Sequence, residues 1–308
     1  MTTSSTYHAG VDTPELRKAR GAFFTPEPVA RFMTEWAVRG PEDRVLEPSA
    51  GDAEFLVSAV ERLRELGVER PRVHGVEIHR DSADEGRRRV EAVGGEPLIT
   101  VGDFFMVPAA PRYDAVIGNP PYIRYQDFAG EAREKARAAA RTAGVELSGL
   151  ASSWAAFTVY SAKFLAPGGR LALVVPGELL SVNYAAPVRD FLVRSFAKVD
   201  IILFDRQVFN DAETDAVLLM ASGFGAGGNA DVTSVRMERF EDLAVLGGSI
   251  QTGDPVSTGR TVGDKWTVGR DGAAIVEILD EVVRDQAFGV LDSWGDTTLG
   301  AVTGNNAY

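Results

Sequence analysis

Apolar residues fall at three- and four-residue intervals over positions 28–38 and 55–66, and more sparsely over the charged stretch 82–93. That spacing lines one face of a helix, so three amphipathic helices are predicted there. Between them lie short apolar runs at 44–47, 72–77, 97–101 and 113–118, each bounded by turn-forming residues. Strand, loop and helix recurring at this interval predict βαβ units and a parallel, doubly wound sheet. Residues 127–146, rich in Ala, Arg and Glu, read as an exposed helix or a mobile segment. An amphipathic helix is expected over 153–165, closed by Pro167, Gly168 and Gly169, and then an apolar strand over 170–175. A helix over 187–196 and strands over 199–204 and 216–221 complete the regular part.

After Ser222 the texture changes: Gly, Thr, Asp and Ser become frequent and apolar segments shorten. Strands are expected over 231–240 and 265–269, and a helix over 274–284. Ahead of the first helix, residues 1–20 form a polar arm ending in a short basic helix, Glu15 to Arg20. The division predicted is an arm (1–20), an α/β unit (21–222) and a small extension (223–308).

Composition narrows the chemistry. There are no cysteines, and the three histidines, His8, His74 and His79, are scattered, so disulfides, thiolate zinc sites and a His-rich metal site are not expected. No apolar run is long enough to span a bilayer, and no basic-then-apolar leader opens the chain, so a cytoplasmic protein without membrane contact is expected. A formal net charge of −12 argues against a uniformly basic nucleic-acid surface. Phosphate contacts, if made, would be local, or made by sequence or a partner outside this chain.

The chemistry-bearing residues cluster at predicted strand ends: Glu47, Glu77, Asp103 and Asn119. In doubly wound sheets ligands bind beyond the carboxyl ends of the strands, so these four converge on one crevice. The fourth strand runs into Gly118-Asn119-Pro120-Pro121-Tyr122. The Asn119 side-chain oxygen and the Pro120 carbonyl are two acceptors that could hold both N–H groups of a primary amine. Consecutive prolines stiffen the backbone between them, and Tyr122 offers a flat ring face. The plainer alternative is a β-turn at a strand end.

Asn119 to Tyr122 resembles the catalytic motif of amino-methyltransferases acting on adenine, and of some glutamine N-methyltransferases. With Gly21-Ala22-Phe23-Phe24-Thr25-Pro26 and the stretch Val45 to Leu56 preceding it, the chain is similar to adenine-specific (N6) DNA methyltransferases of the Eco57I-like and TaqI-like class. The similarity runs from about Gly21 to Met220. It implies a Rossmann-like methyltransferase fold with a mostly parallel seven-stranded sheet and helices on both faces. The implied cofactor is S-adenosyl-L-methionine, with no metal.

By the same resemblance Phe24, Thr25 and Pro26 cover the methionine end of the cofactor, Glu47 meets its ammonium, and Pro48, Ala50 and Gly51 let the backbone approach. Glu77, with Ile78 beside it, takes the ribose hydroxyls. Asp103 accepts from the cofactor adenine, and Phe104 packs on that ring. Asn119 and Pro120, stiffened by Pro121, hold the target N6 group and pull it toward tetrahedral geometry. Tyr122 and Phe209 clamp the extruded base. Ala53 departs from the family pattern, standing where a second glycine is usual.

Residues 291–308 resemble the opening of a target-recognition region that normally continues, which implies a shortened chain. The implied partners are double-stranded DNA and a separate specificity or restriction subunit, in restriction-modification or phage defence. Two other functions share these features: a protein glutamine or RNA N-methyltransferase, and a non-catalytic nucleic-acid-binding subunit. Arg133, Arg137 and Arg141 read as a solvated face, or else as phosphate contacts. Ser153, Trp154 and Phe157 read as helix-face packing.

Overall fold

Side chains in the central strands alternate between two separate cores, and that alternation dictates a three-layer molecule. The computed structural model describes residues 25–205, 215–246, 248, 250, 253–256 and 265–266. Its first half runs α1 (Glu27–Ala37), β1 (Val45–Glu47), α2 (Glu54–Glu65), β2 (Arg72–Glu77), α3 (Arg80–Ala92), β3 (Glu96–Val101) and β4 (Tyr113–Gly118). Then follow α4 (Gly130–Thr142), α5 (Ser153–Ala162), β5 (Leu165–Pro176), α6 (Glu178–Ser181), α7 (Ala186–Ser195), β6 (Lys198–Phe204), β7 (Ala216–Ser222), β8 (Asp231–Met237) and β9 (Asp254–Pro255).

Leu171, Leu173 and Val175 of β5 join Val217, Leu219 and Ala221 of β7 in one core, beneath α4, α5 and α7. The intervening Ala172, Val174, Leu218 and Met220 enter the other, beneath α1, α2 and α3. Strands buried on both faces read as continuous apolar runs, which is how β5 and β7 appear in the sequence.

The strand order is β3-β2-β1-β4-β5-β7-β6-β8-β9. Pairing is parallel from β3 through β5. β7 then enters antiparallel between β5 and β6, β8 pairs parallel with β6, and β9 closes antiparallel. The α/β fold with a mostly parallel sheet is as expected, but the described residues form nine strands rather than seven. β8 and β9 add the difference. β8 is polar along much of its length, and its strand character comes from pairing the exposed edge of β6. The sheet thus continues beyond Ser222. The expected helix over 274–284 lies outside the described residues. Among the described residues no helix is long and apolar enough to cross a membrane.

Two helices differ from their patterning. α5 is buried at all ten positions rather than amphipathic. It is apolar all round because the sheet, α4 and α7 enclose it. α4 is an ordered helix whose Ala136, Ala139 and Ala140 face the core, small side chains that let it lie close to α5.

The departure at Ala53 is legible in the backbone. Ala53 precedes α2 with φ 66° and ψ 34°, the one left-handed non-glycine among the described residues. An L-residue there costs about 1–2 kcal/mol, which explains why glycine is usual. The turn closes nonetheless: Ala53 N–H donates to the Ala50 carbonyl at 2.6 Å, and the Ala53 carbonyl accepts from Val57 N–H at 2.9 Å. The buried Ala53 methyl also fills space against α3, since a methyl built on Gly86 would lie 3.0 Å from it. Gly86→Ala is therefore expected to lose the helix-propensity gain of about 1 kcal/mol to this clash. In an Ala53→Gly background it should recover part of it, with a coupling of about 0.5–1 kcal/mol in urea denaturation of the four proteins. Strict additivity would show that the two side chains do not compete for this space.

Candidate active site at the carboxyl edge of the sheet

Because β1 pairs parallel with both β2 and β4, the three strands deliver their ends to the same edge. Glu47 closes β1 and is 2% exposed. Its Oε2 has no hydrogen-bond partner among the described residues. Burial, reinforced by the Asp52 and Glu77 carboxylates, holds its carboxyl well above the ordinary range, and the Leu56 N–H offsets only part of this. A buried carboxylate with an open acceptor and acidic neighbours is a place for a cation. The donor set therefore fits a group that carries an ammonium.

Glu77, also buried, ends β2 and ties the β1 loop down. One of its oxygens accepts from Gly51 N–H and the other from His79 N–H, each at 2.8 Å. Ala50 N–H donates to the Val76 carbonyl at 2.8 Å, drawing the same loop across β2. Gly51 takes φ 52°, where glycine is unstrained. Pro48 and Ala50 are buried in this turn, while Ile78 is 60% exposed beside it. Arg89 bridges to Asp52 at 3.1 Å and Glu54 at 2.5 Å, so two of the nearby acids have their own counter-ion.

Asp103, after β3, accepts from Phe105 N–H at 3.0 Å and caps the short 3-10 helix Phe104–Met106. Its other oxygen lies 3.9 Å from Lys135 Nζ of α4. Phe104 faces the core, where its ring lies 5.1–5.4 Å from those of Phe164, Tyr160 and Phe157. The exposed apolar side chains beyond β2 and β3 are instead Ile78 and Met106. Met106 drew no attention in the sequence, where one methionine among core-like residues carries no signal.

Beyond β4, a methyl built on Gly118 would lie 3.4 Å from Glu47 Cγ, so the strand end rests directly against that acid. Asn119 Nδ2 donates to Thr25 Oγ1 at 3.2 Å, which brings the segment before α1 to the tetrapeptide. The Asn119 Oδ1 atom and Pro120 are buried. Tyr122 is half-buried, packs against the core and has its hydroxyl inaccessible. Burial raises the phenol well above its ordinary value and keeps it neutral.

Ser153 was read as packing, yet its hydroxyl donates to the Pro121 carbonyl and accepts from Ile123 N–H at 2.8 Å. Of the three arginines on α4, Arg133 and Arg137 are tethers, whereas Arg141 is exposed, as a solvated face predicts. Arg133 donates to the Tyr125 and Phe128 carbonyls, and Arg137 to the Leu147 carbonyl at 3.0 Å. Arg141 pairs with Glu146 at 3.5 Å. Phe24 and Phe209 lie outside the described residues.

Residues 87–209 match the model of the Eco57I restriction-modification methylase family. The chain is 27% identical over 211 residues to the type II methyltransferase M.AccI of Acinetobacter calcoaceticus, covering 68% of this chain and 38% of that one. It thus spans about two fifths of the length of the curated relatives it matches. Among solved structures it resembles the ATP-dependent Type ISP restriction-modification enzyme LlaBIII bound to DNA, with TM-score 0.64 and 15% identity over 79% of this chain and 22% of that one. It also resembles a Listeria monocytogenes protein provisionally assigned to the class I S-adenosylmethionine-dependent methyltransferases, with TM-score 0.59 and 16% identity over 73% and 68%. At these identities the structures establish the methyltransferase-type α/β fold.

The environment of Glu47 makes a stability prediction. Its folded pKa is raised, so its contribution to stability is complete below the ordinary glutamate value and is lost as pH rises through the folded value. At neutral pH the protein without ligand carries that cost. Glu47→Gln should therefore raise the thermal midpoint at pH 7, by roughly 2–4 °C per kcal/mol relieved, with a smaller gain near pH 4. A lower midpoint at pH 7 would show the carboxylate to be stabilising instead.

Proposed function

We propose that this chain, carrying the Eco57I restriction-modification methylase match, is the catalytic region of a DNA methyltransferase that moves a methyl group from S-adenosyl-L-methionine to adenine N6. One juxtaposition carries the proposal: a buried acid with an open acceptor, Glu47, in contact with the strand end that leads into Asn119 and Pro120. The first suits the ammonium of the methyl donor, and the second suits the amine that receives the methyl.

The cofactor, when bound, supplies an electrophilic methyl group on sulfonium. The protein's part is placement. Glu47 would balance the ammonium, while the Glu77 carboxyl, oriented by two backbone N–H groups, would offer its remaining lone pairs to the ribose hydroxyls. Asp103 would accept from the cofactor's adenine amino group, and the exposed Ile78 would flank that ring. The Asn119 oxygen and Pro120 carbonyl accept the two N6 hydrogens. This weakens delocalisation of the nitrogen lone pair into the ring and aims it outward. Thr25 accepts from the other end of the Asn119 amide and so fixes its orientation. A neutral Tyr122 stacks on the extruded base and takes no proton. The methylated nitrogen is cationic and acidic, so its proton passes to solvent water and no strong base is needed.

The backbone ties of Arg133 and Arg137, with the charge of −12, favour DNA backbone contacts made largely by a region or subunit beyond this chain.

Tritiated methyl transfer into unmethylated mixed-sequence DNA is expected to yield N6-methyladenine, with Asn119→Ala lowering the rate at least about 100-fold. Label in protein glutamine or RNA instead would overturn the substrate. Calorimetry should show S-adenosylmethionine affinity falling by about tenfold per pH unit as pH drops below the raised Glu47 value, since the protonated acid cannot pair with the ammonium. Glu47→Gln should bind weakly at every pH. An affinity independent of pH in the native protein would remove Glu47 from the cofactor site.

A further inference from the structure

Tyr122 is flanked by two backbone groups that meet the same side chain. The Pro121 carbonyl accepts from Ser153 Oγ–H, and the Ile123 N–H donates to Ser153 Oγ at 2.8 Å. Ser153 N–H adds a third bond, to the Ile123 carbonyl at 3.0 Å. One hydroxyl, 1% exposed, thus fastens the chain immediately before and after the ring. With both peptides held and φ of Pro121 locked by its own ring, the direction of the Tyr122 Cα–Cβ bond is set by Ser153. We infer that Ser153 is a positioning residue, which sets the Tyr122 ring for stacking against the target base.

The mount is itself rigid. Ser153 opens α5, the helix buried at every position. Its neighbours Ser152 and Trp154 belong to a polar network at the end of β5. Trp154 Nε1 donates to Tyr184 Oη at 3.1 Å and lies 3.4 Å from the Glu178 carboxylate. Tyr184 donates to Glu178, and its hydroxyl lies 3.3 Å from Ser152 Oγ. Burial first, then the bond to Glu178, raises the Tyr184 phenol, which stays a neutral donor. The carboxylate after β5 thereby anchors the start of α5, and α5 anchors the loop after β4. An alanine at 153 would keep the helix but leave the Pro121 carbonyl and Ile123 N–H without this partner.

The inference rests on the methyl-transfer reading, and its test separates the two. Ser153→Ala is expected to bind S-adenosylmethionine within about twofold of the native chain, because it touches none of the cofactor acids. Its kcat at saturating DNA and cofactor should fall about tenfold or more, since small misplacements of a reacting group are costly. In a Tyr122→Ala background the same change should cost less than about twofold, because the ring it serves is gone. An unchanged kcat, or an equal loss in both backgrounds, would overturn the positioning role and leave Ser153 a helix-start residue. Amide hydrogen exchange at Ile123 reports the clamp without any activity. Faster exchange in Ser153→Ala supports it, and unchanged exchange overturns it. If the native chain neither transfers methyl to DNA nor binds S-adenosylmethionine, the methyl-transfer reading fails, and exchange at Ile123 alone decides whether the clamp exists.

Discussion

The parallel pairing of β1 with β2 and β4 is the constraint on which the site depends. Parallel neighbours must return over the faces of the sheet, so helices cover both sides and every loop after a strand falls on one edge. Glu47, Glu77 and Asn119 are distant in the chain, yet each is the last residue of a strand or the next one along. Their convergence needs no separate stabilisation. It follows from the two apolar cores that hold the sheet between its helix layers.

Those cores support an edge that works against stability. Glu47 is buried among other acids with one oxygen unsatisfied, and Ala53 holds a left-handed conformation one turn away. Both costs fall between the last residue of β1 and the start of α2. Nearby hydrogen bonds limit the damage, Glu77 by taking two backbone N–H groups and Arg89 by bridging Asp52 and Glu54. What remains uncompensated is negative charge at the one place where a cationic ligand would relieve it.

The loop after β4 follows a different logic, being held from every side. Thr25 holds the Asn119 amide, Ser153 holds the peptides around Tyr122, and Arg133 gathers the Tyr125 and Phe128 carbonyls. A displacement reaction governed by placement gains from such rigidity. Arg133, which supplies part of it, is thereby committed to the fold.

Much of this was legible before any coordinates. The period of apolar residues located β1 to β7 and most helices within a few positions, and the strand-end acids and the Asn-Pro-Pro-Tyr run were expected on one edge, where parallel pairing places them. Local pattern carries such information because a strand or helix face must be apolar where it packs. Pattern failed where a residue's role depends on what lies opposite it. The full burial of α5, the turn of Phe104 into the core and the addition of β8 to the sheet come from neighbours remote in sequence. So do the backbone ties of Arg133 and Arg137 and the two hydrogen bonds made by the Ser153 hydroxyl. The sequence by itself determined which side chains could do chemistry and on which strand ends they fall. Tertiary structure decided which of them meet, because hydrogen bonding and burial act between surfaces that only folding brings together.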